Sequence, residues 1–354
     1  MPIFANRWLR AALLPWSILY YFGMTLRNKL YDWHILSVKR LECKVISVGN
    51  ITVGGTGKTP AVAYLAARLR EQNRRVVIAS RGYGRKNRGQ VLVADGEQLL
   101  VEAQESGDEP FMLARKLKNI PVIVDNNRHE AGRKACTRFS TEFLLLDDGF
   151  QYRHLQRDLD IVLLDARCGI EKPWLLPAGP FRELPSSLAR AQMVWLTRVE
   201  PGVDIEGLRT RVAAITKAPV VCVSHKANRW ISTDGEALDR AAVFGKRILA
   251  FAGIADPGSF EKTLRDLGAE VVRFLSFRDH HWYNNKDRIQ IDEVARVVNV
   301  TWVVTSEKDF VRLPKEFPLS RPLYYLEIEM EVNAGGESLD SALSEMTRKR
   351  SEDN

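Results

Sequence analysis

Cysteine is scarce in this sequence, and the spacing of the few cysteines argues against two kinds of protein. The 354 residues contain four cysteines, and none of them forms a C-x-x-C pair. Widely spaced single cysteines argue against a disulfide framework and against a zinc site, and they favour reduced thiols in the cytosol. A hydrophobic content of 45% with 27% charged residues is typical of a globular chain rather than a disordered one.

The sequence also lacks an apolar run long enough to cross a membrane. Residues 11–26 carry no charge, but Pro15 interrupts them, and a membrane span needs roughly 20 apolar residues. A signal peptide is not favoured, because no small-residue cleavage site follows the apolar stretch. Aromatic residues flanked by arginines and lysines favour an amphipathic helix at an anionic membrane surface, which we predict over 1–40. A helix packed on the protein's own core is the alternative.

Internal repeats, low-complexity tracts and recognisable nucleic-acid-binding motifs are missing as well. The net charge of +8 favours an anionic partner, such as phosphate or acidic lipid head groups. Because no aromatic-basic stacking motif or binding module accompanies this charge, we expect no nucleic-acid partner. We expect no obligate protein partner either.

The most specific motif that is present lies between Lys44 and Gln72. A β-branched run leads into a glycine-rich turn ending in Gly-Lys-Thr-Pro, and an alanine- and leucine-rich helix follows. This order is typical of a phosphate-binding loop, whose backbone N–H groups and helix N-terminus face an anion. We therefore expect a nucleoside triphosphate to bind this loop. The predicted nucleotide-binding residues are Asn50, Thr52, Val53, Gly54, Gly55, Thr56, Gly57, Lys58, Thr59 and Pro60.

Two side chains of the loop have expected roles, and one position departs from the usual motif. Lys58 would reach the β- and γ-phosphates, and the Thr59 hydroxyl would bind Mg²⁺. Thr52 occupies the position where the motif usually has its first glycine. We expect Gly54 and Gly55 to supply the missing flexibility.

Strand-like and helical segments alternate from residue 44 to about 200. Continuous apolar strands with intervening helices predict a parallel sheet with helices on both faces, as in α/β P-loop NTPases. We assign this phosphate-loop domain to 41–225 and a smaller C-terminal α/β domain to 226–332, with a hairpin linker near 229–244. The polar residues 333–354 are expected to form a frayed helix or a tail.

The apolar strand at 143–146 ends in two aspartates, Asp147 and Asp148. A strand that terminates in aspartate behind a phosphate loop is the arrangement that holds Mg²⁺, directly or through water. The sequence does not decide between the two aspartates, so both are candidate metal ligands beside Thr59.

With these residues identified, the chain resembles the tetraacyldisaccharide 4′-kinase family, from its N-terminal apolar segment to about residue 313. The resemblance rests on several motifs in combination, which are GNITVGGTGKTP at 49–60, SRGYGRK at 80–86, SGDEP at 106–110, DDGFQ at 147–151, PAGPFRE at 177–183, GIADPGSF at 253–260, FRDHH at 277–281 and SEKD at 306–309. The family's loop also lacks the first glycine. One departure is Tyr152-Arg153-His154, where the family usually has His-Arg, and we assign no catalytic role there.

The resemblance implies a peripheral enzyme at the cytoplasmic face of the bacterial inner membrane. It would use ATP and Mg²⁺ to phosphorylate the 4′-hydroxyl of a tetraacylated glucosamine disaccharide 1-phosphate in lipid A biosynthesis. A hydroxyl acceptor benefits from a positioned base, and the resemblance points to Asp108, with His280 tuning or orienting it. Asp108 as a helix N-cap, and His281 in place of His280, are the alternatives. Lys58 completes the predicted catalytic set.

A further set of polar residues is expected to hold the phosphates of the nucleotide and the lipid. Arginine is favoured because its planar guanidinium matches phosphate oxygens. The predicted substrate-binding residues are Arg81, Tyr83, Glu109, Arg128, Gln151 and Arg182.

A second function class is compatible with the phosphate loop. A membrane-associated P-loop ATPase could use hydrolysis as a switch for a partner protein. Such a switch would not need the Asp108 and His280 pair, which therefore favours the kinase hypothesis.

Overall fold

The computed structural model describes residues 7–86, 88–171, 173–200 and 202–348. In these residues thirteen strands form one continuous sheet. The strands are β1 (Lys44–Asn50), β2 (Val76–Ser80), β3 (Val91–Ala94), β4 (Val122–Val124), β5 (Phe143–Asp147), β6 (Leu159–Asp165), β7 (Met193–Thr197), β8 (Val220–Ser232), β9 (Ala237–Asp239), β10 (Arg247–Ala252), β11 (Glu270–Ser276), β12 (Trp302–Ser306) and β13 (Leu323–Ala334).

Ten α-helices in the same residues connect or flank these strands. They are α1 (Arg7–Asp32), α2 (Lys58–Glu71), α3 (Ala103–Ser106), α4 (Asp108–Lys116), α5 (Arg128–Phe139), α6 (Ile205–Ala213), α7 (Pro257–Asp266), α8 (Asn285–Val297), α9 (Glu307–Phe310) and α10 (Gly336–Arg348).

The sheet is mixed, with a parallel centre. The strand order is β11-β10-β12-β13-β8-β7-β6-β1-β5-β2-β4-β3, and β9 pairs with β8 outside this order. Strand β1 pairs in parallel with β5 and β6, and β3–β4, β8–β9 and β8–β13 are antiparallel pairs. The predicted α/β fold with a parallel sheet is therefore confirmed for the centre of the molecule. The carboxyl ends of β1 and β5, where the phosphate loop and the aspartates begin, lie side by side.

The predicted boundary between residues 225 and 226 falls inside β8. The predicted hairpin near 229–244 is formed by β8 and β9, which pair from Arg229 to Ile231. Strand β13, which the sequence analysis did not predict, pairs along most of β8 and joins it to β12. Both halves of the chain thus share one sheet, and their division into two domains stays a prediction.

Helix α2 shows how the sequence builds the core around the phosphate loop. Its residues Ala61, Leu65 and Leu69 recur at helical spacing and are 0% exposed. They pack in one cluster with Ile46 of β1 and Leu145 of β5. The first turn of α2, which carries the Gly-Lys-Thr segment, is therefore held rigidly by the packing of the turns behind it.

Helix α1 contacts the rest of the molecule through polar groups and leaves most of its large apolar side chains exposed. Trp16, Leu19 and Phe22 are each 63% exposed, whereas Ser17 is the one residue of α1 classed as buried. The Ser17 hydroxyl donates to the Leu175 carbonyl at 3.0 Å. Among the described residues, no helix is both long and apolar enough to cross a bilayer.

The C-terminal segment differs from the predicted polar tail. Residues up to Ala334 complete β13, and α10 follows directly. Leu339 and Leu343 of α10 are 1% and 0% exposed and belong to the same core cluster as α2. The polar composition concealed two leucines spaced four residues apart, which form a narrow apolar stripe on one helix face. Residues 349–354 of the predicted tail lie outside the described residues.

We expect Leu343→Ala to destabilise the protein by about 2–4 kcal/mol, because it leaves a cavity in the core behind the phosphate loop. Urea unfolding followed by circular dichroism measures this change. Ser341→Ala, on the exposed face of the same helix, is the matched control and should change stability by less than about 0.5 kcal/mol. Equal stabilities of the two variants would show that α10 does not contribute to the core.

Candidate active site

The phosphate loop connects β1 to α2 and is shaped by two glycines with positive φ. Gly54 has φ 110° and Gly57 has φ 87°, which are values that residues with a side chain rarely adopt. The Asn50 side-chain amide donates to the Thr56 hydroxyl at 2.9 Å and closes the turn from inside. Lys58 is the first residue of α2, so the helix N-terminus opens directly at the loop. This is a ready-made site for phosphate oxygens.

Neighbouring segments hold the loop from several sides. The Val53 amide donates to the Pro180 carbonyl at 2.7 Å, and Arg198 donates to the Gly55 carbonyl at 2.8 Å. A Cβ on Gly57 would lie 2.6 Å from Nε2 of His225, so that only glycine fits there. Nε2 of His225 is buried and has no hydrogen-bond partner within the described ranges. Burial lowers the pKa of His225, which keeps the ring neutral against the loop.

The two aspartates after β5 have opposite surroundings. Asp148 has φ 57° and turns its carboxylate toward Arg182, whose Nη1 donates to its two oxygens at 2.9 and 2.8 Å, while Nζ of Lys58 lies 3.7 Å away. Burial alone would raise the pKa of Asp148, but Lys58 and Arg182 outweigh it and hold the pKa below its ordinary value. Asp148 is thus compensated by cations of the protein itself.

Asp147 has no such compensation. It is 2% exposed, and its Oδ1 has no hydrogen-bond partner in the described part of the chain. Burial, followed by the charges of Glu109 and Asp148, raises the pKa of Asp147 to about 7. An orphaned, desolvated carboxylate oxygen beside a phosphate loop fits a divalent cation that would be shared with phosphate oxygens. Groups of three or more metal-ligating side chains are absent among the described residues, and a phosphate-bound Mg²⁺ does not require one.

Asp108 and His280 lie in contact although 171 positions separate them in the sequence. Nδ1 of His280 is 2.9 Å from Oδ2 of Asp108, and the Asp108 side chain is only 6% exposed. Burial opposes ionisation of Asp108, but the hydrogen bond from His280 and the charge of Arg312 hold its pKa far below the ordinary value. The same hydrogen bond raises the pKa of His280. The alternative His281 instead contacts Asp287 at 3.0 Å.

Glu109, the neighbour of Asp108 in α4, pairs with a residue that the sequence analysis left without a role. Nζ of Lys308 lies 2.5 Å from Oε1 of Glu109. The charge of Lys308 is the main cause that lowers the pKa of Glu109, and the charge of Lys58 lowers it further. Glu109 therefore lies within electrostatic range of both the phosphate loop and the SEKD segment.

The remaining predicted substrate-binding residues occupy three different environments. Arg128 begins α5, is 7% exposed, and stacks over the ring of Tyr152 at 4.8 Å. The pKa of Arg128 is lowered by burial and then by the charge of Arg81, so the two guanidinium groups lie within electrostatic range of each other. Tyr83 is 70% exposed, and its ring lies 5.8 Å from the ring of His280.

Gln151 and Arg182 connect the site to α1. The Gln151 side-chain amide donates to the Asn50 carbonyl at 2.9 Å. The backbone carbonyl of Gln151 accepts from the Arg27 side chain of α1 at 2.7 Å. The Arg182 carbonyl accepts from the Tyr20 hydroxyl of α1 at 2.9 Å. The loops that hold Asp148 and the phosphate loop therefore rest on the polar side of α1.

Sequence reasoning missed Arg312, a fully buried arginine of this site. Its side chain is 1% exposed and contacts both Asp108 and Asp309. Its position three residues after Asp309 of SEKD does not distinguish it from a solvated arginine. His154, in the segment that departs from the family's pattern, contacts the Ser37 carbonyl at 2.9 Å.

Comparison with known proteins agrees with this geometry. Residues 9–348 match the family described as tetraacyldisaccharide-1-P 4′-kinase. The tetraacyldisaccharide 4′-kinase of Syntrophus aciditrophicus is 41% identical to this chain, with 89% of this chain and 87% of the relative covered. That of Anaeromyxobacter sp. is also 41% identical, with 95% and 92% covered.

A solved structure extends the likeness to the three-dimensional fold. The chain is similar to LpxK from Aquifex aeolicus in complex with ATP, with a TM-score of 0.79 and 34% sequence identity. The superposition covers 96% of this chain and 99% of that chain. On the strength of the matched length and identity, this chain belongs to the tetraacyldisaccharide 4′-kinase family.

Proposed function

We propose that this chain is a lipid kinase that transfers the γ-phosphate of ATP to the 4′-hydroxyl of tetraacyldisaccharide 1-phosphate in lipid A biosynthesis. The observation that carries the proposal is the contact of Asp108 and His280 beside a phosphate loop. The charge of Lys308 and then that of Lys58 lower the pKa of Glu109, which is next to Asp108, and burial followed by the charge of Glu109 raises the pKa of Asp147. A candidate base and a phosphate site thus meet in one place.

The chain's own residues account for binding the nucleotide. Backbone N–H groups of the phosphate loop and the N-terminus of α2 face the phosphates, and Lys58 adds a positive charge. Arg198 and Pro180 hold the loop in shape through its carbonyl and amide groups. These contacts fix the loop before ATP arrives, which lowers the ordering cost of binding.

Asp147 and the Thr59 hydroxyl are the residues that would hold Mg²⁺, and Asp148 stands beside them. When bound, Mg²⁺ neutralises charge on the phosphates during transfer. The orphaned Oδ1 of Asp147 is the feature that supports this assignment, because Asp148 is already occupied by Arg182.

The acceptor side of the reaction depends on Asp108. The bond between the γ-phosphorus and the oxygen bridging to the β-phosphate breaks, and a bond from the 4′-oxygen to the γ-phosphorus forms. The hydroxyl proton passes to Asp108, and ADP leaves. His280 stabilises and orients the carboxylate through its hydrogen bond. The lowered pKa of Asp108 keeps its carboxylate ionised at neutral pH.

The proposal includes a location at the cytoplasmic surface of the inner membrane. The exposed apolar side chains of α1, including Trp8 at 85% and Trp16 at 63%, would enter the interfacial layer. Basic residues of the same helix would contact acidic head groups. The polar side of α1 would stay on the site loops through Tyr20 and Arg27.

Asp108→Ala is expected to lower lipid-dependent ADP formation by about 100-fold or more, because the proton acceptor is lost. The assay measures ADP release from Mg-ATP in detergent micelles, with and without tetraacyldisaccharide 1-phosphate, and the mass of the lipid product. ADP release that is equal without lipid and unchanged by the mutation would overturn the kinase proposal and favour an ATPase switch.

Asp147→Asn is expected to raise the thermal unfolding midpoint by about 2–5 °C in EDTA while abolishing activity, because it removes an uncompensated buried charge. The same substitution should remove the additional stabilisation that Mg²⁺ gives to the ATP complex. Asp292→Asn is the matched control. That carboxylate is compensated by Arg296 and the Ser320 amide, so its loss should lower the midpoint. A lower midpoint for Asp147→Asn would contradict the assignment.

The double variant Leu19→Asp with Phe22→Asp is expected to reduce sedimentation with phosphatidylglycerol vesicles by at least about tenfold, because two apolar contacts are replaced by charges that anionic lipid repels. Val297→Asp, at an exposed apolar position of α8 (84% exposed), is the matched control and should leave binding unchanged. Equal loss in both variants, or no loss in either, would contradict a specific role of α1.

A further inference from the structure

Arg312 lies just after α9 and makes an unusual number of contacts for a side chain that is 1% exposed. Its Nε donates to Oδ2 of Asp108 at 2.8 Å, and Nη2 donates to the same oxygen. Nη1 donates to the Gly253 carbonyl at 2.8 Å and lies 3.3 Å from Oδ1 of Asp309. Every nitrogen of the guanidinium therefore has an acceptor, and these acceptors come from three separate segments of the chain.

The two carboxylate oxygens of Asp108 accept different numbers of hydrogen bonds. Oδ2 receives Nε and Nη2 of Arg312 together with Nδ1 of His280. Among the residues that the structure describes, Oδ1 receives only the backbone N–H of Glu109, at 2.9 Å. Because a carboxylate oxygen has two lone-pair directions, Oδ2 is saturated and Oδ1 keeps acceptor capacity. The arrangement also fixes the imidazole, since Nδ1 donates to Asp108.

We propose that Arg312 is a positioning residue of the transfer reaction: it locks Oδ2 of Asp108 so that Oδ1 is the oxygen that accepts the proton of the 4′-hydroxyl. This inference rests on the proposed kinase function. Arg312 acts through Asp108 and His280 and does not touch the substrate. It is held in turn by Asp309, which the Tyr283 hydroxyl and the Gly253 amide bind at 3.0 and 2.9 Å.

The charges around Asp108 make Arg312 its main fixed counter-ion. The charged group nearest to Asp108 on α4 itself is Glu109, and its charge is neutralised by Lys308. From the other segments come His280, Lys308 and Arg312, and each of them lowers the pKa of Asp108. His280 carries a positive charge only when protonated, whereas arginine is always charged. Arg312 therefore keeps a positive charge beside Asp108 whatever the protonation state of His280.

The first test measures kcat and KM across pH for wild type, Arg312→Gln and Arg312→Lys, with tetraacyldisaccharide 1-phosphate and Mg-ATP. We expect Arg312→Gln to lower kcat by about 100-fold with little change in KM for ATP, because the base is misplaced while the phosphate loop is intact. The acid limb of the kcat/KM profile should lie at a higher pH in Arg312→Gln than in the wild type, because loss of the positive charge raises the pKa of Asp108 toward its ordinary value. Arg312→Lys should recover part of kcat, and the pH of its acid limb should lie close to that of the wild type.

The matched control is Arg157→Gln. Arg157 is a buried arginine, 11% exposed, that pairs with Asp160 in a contact that does not involve Asp108 or His280. The Arg157→Gln variant should have its acid limb at the same pH as the wild type, even if its thermal unfolding midpoint changes. Circular dichroism and the midpoint of each variant report folding independently of activity.

The outcomes separate this inference from the function on which it rests. No lipid-dependent transfer by the wild type would remove the proposed function itself. An active wild type whose acid limb stays in place in folded Arg312→Gln would overturn the positioning role alone. A limb shift of the same size in Arg157→Gln would overturn it as well, because the effect would then be general.

Discussion

Compensation of buried negative charge is the constraint on which this site depends. A carboxylate that leaves water is stable only if cations or N–H groups replace its hydration, and Asp108 and Asp147 are both nearly buried. Asp108 obtains its compensating positive charge and N–H groups from Arg312, which lies 204 positions further along the chain. Oδ1 of Asp147 has no hydrogen-bond partner within the described residues. Burial and the neighbouring negative charges therefore raise the pKa of Asp147. A complete site therefore exists only when distant segments are folded together, and one position is left for a cation from solution.

Sequence reasoning succeeded where the determining residues are contiguous. A phosphate loop is built within about twenty residues, since its glycines, its lysine and the first turn of α2 are all local features. The parallel centre was predictable for the same reason, because buried strands such as β5 appear as short apolar runs. Even the aspartates after β5 could be placed, since parallel strands bring their carboxyl ends to the loop. The sequence did not show which of the two aspartates would bind Mg²⁺, because this depends on the orientation of Asp148 toward Arg182.

The residues that were missed are defined by distant contacts. Arg312 has no local pattern that distinguishes it from a solvated arginine, and only its contact with Asp108 reveals its role. Strand β13 does carry a local signal, because Glu327, Glu329 and Glu331 alternate with apolar residues. The acidic residues concealed it, although each has a partner in this sheet or beside it, such as Arg229 for Glu327. Helix α10 was concealed in the same way, since two buried leucines suffice to dock it.

The position of β13 between β12 and β8 has a consequence for biosynthesis. Strand β8 receives the hydrogen bonds of its second edge from β13, which is synthesised well after β8. At ordinary translation rates this edge stays open for on the order of ten seconds. An open edge can pair with other chains, and natural proteins usually protect such edges with charge. Lys226 and Arg229 along β8 provide that protection on the nascent chain, and Glu331 and Glu327 become their partners when the sheet closes.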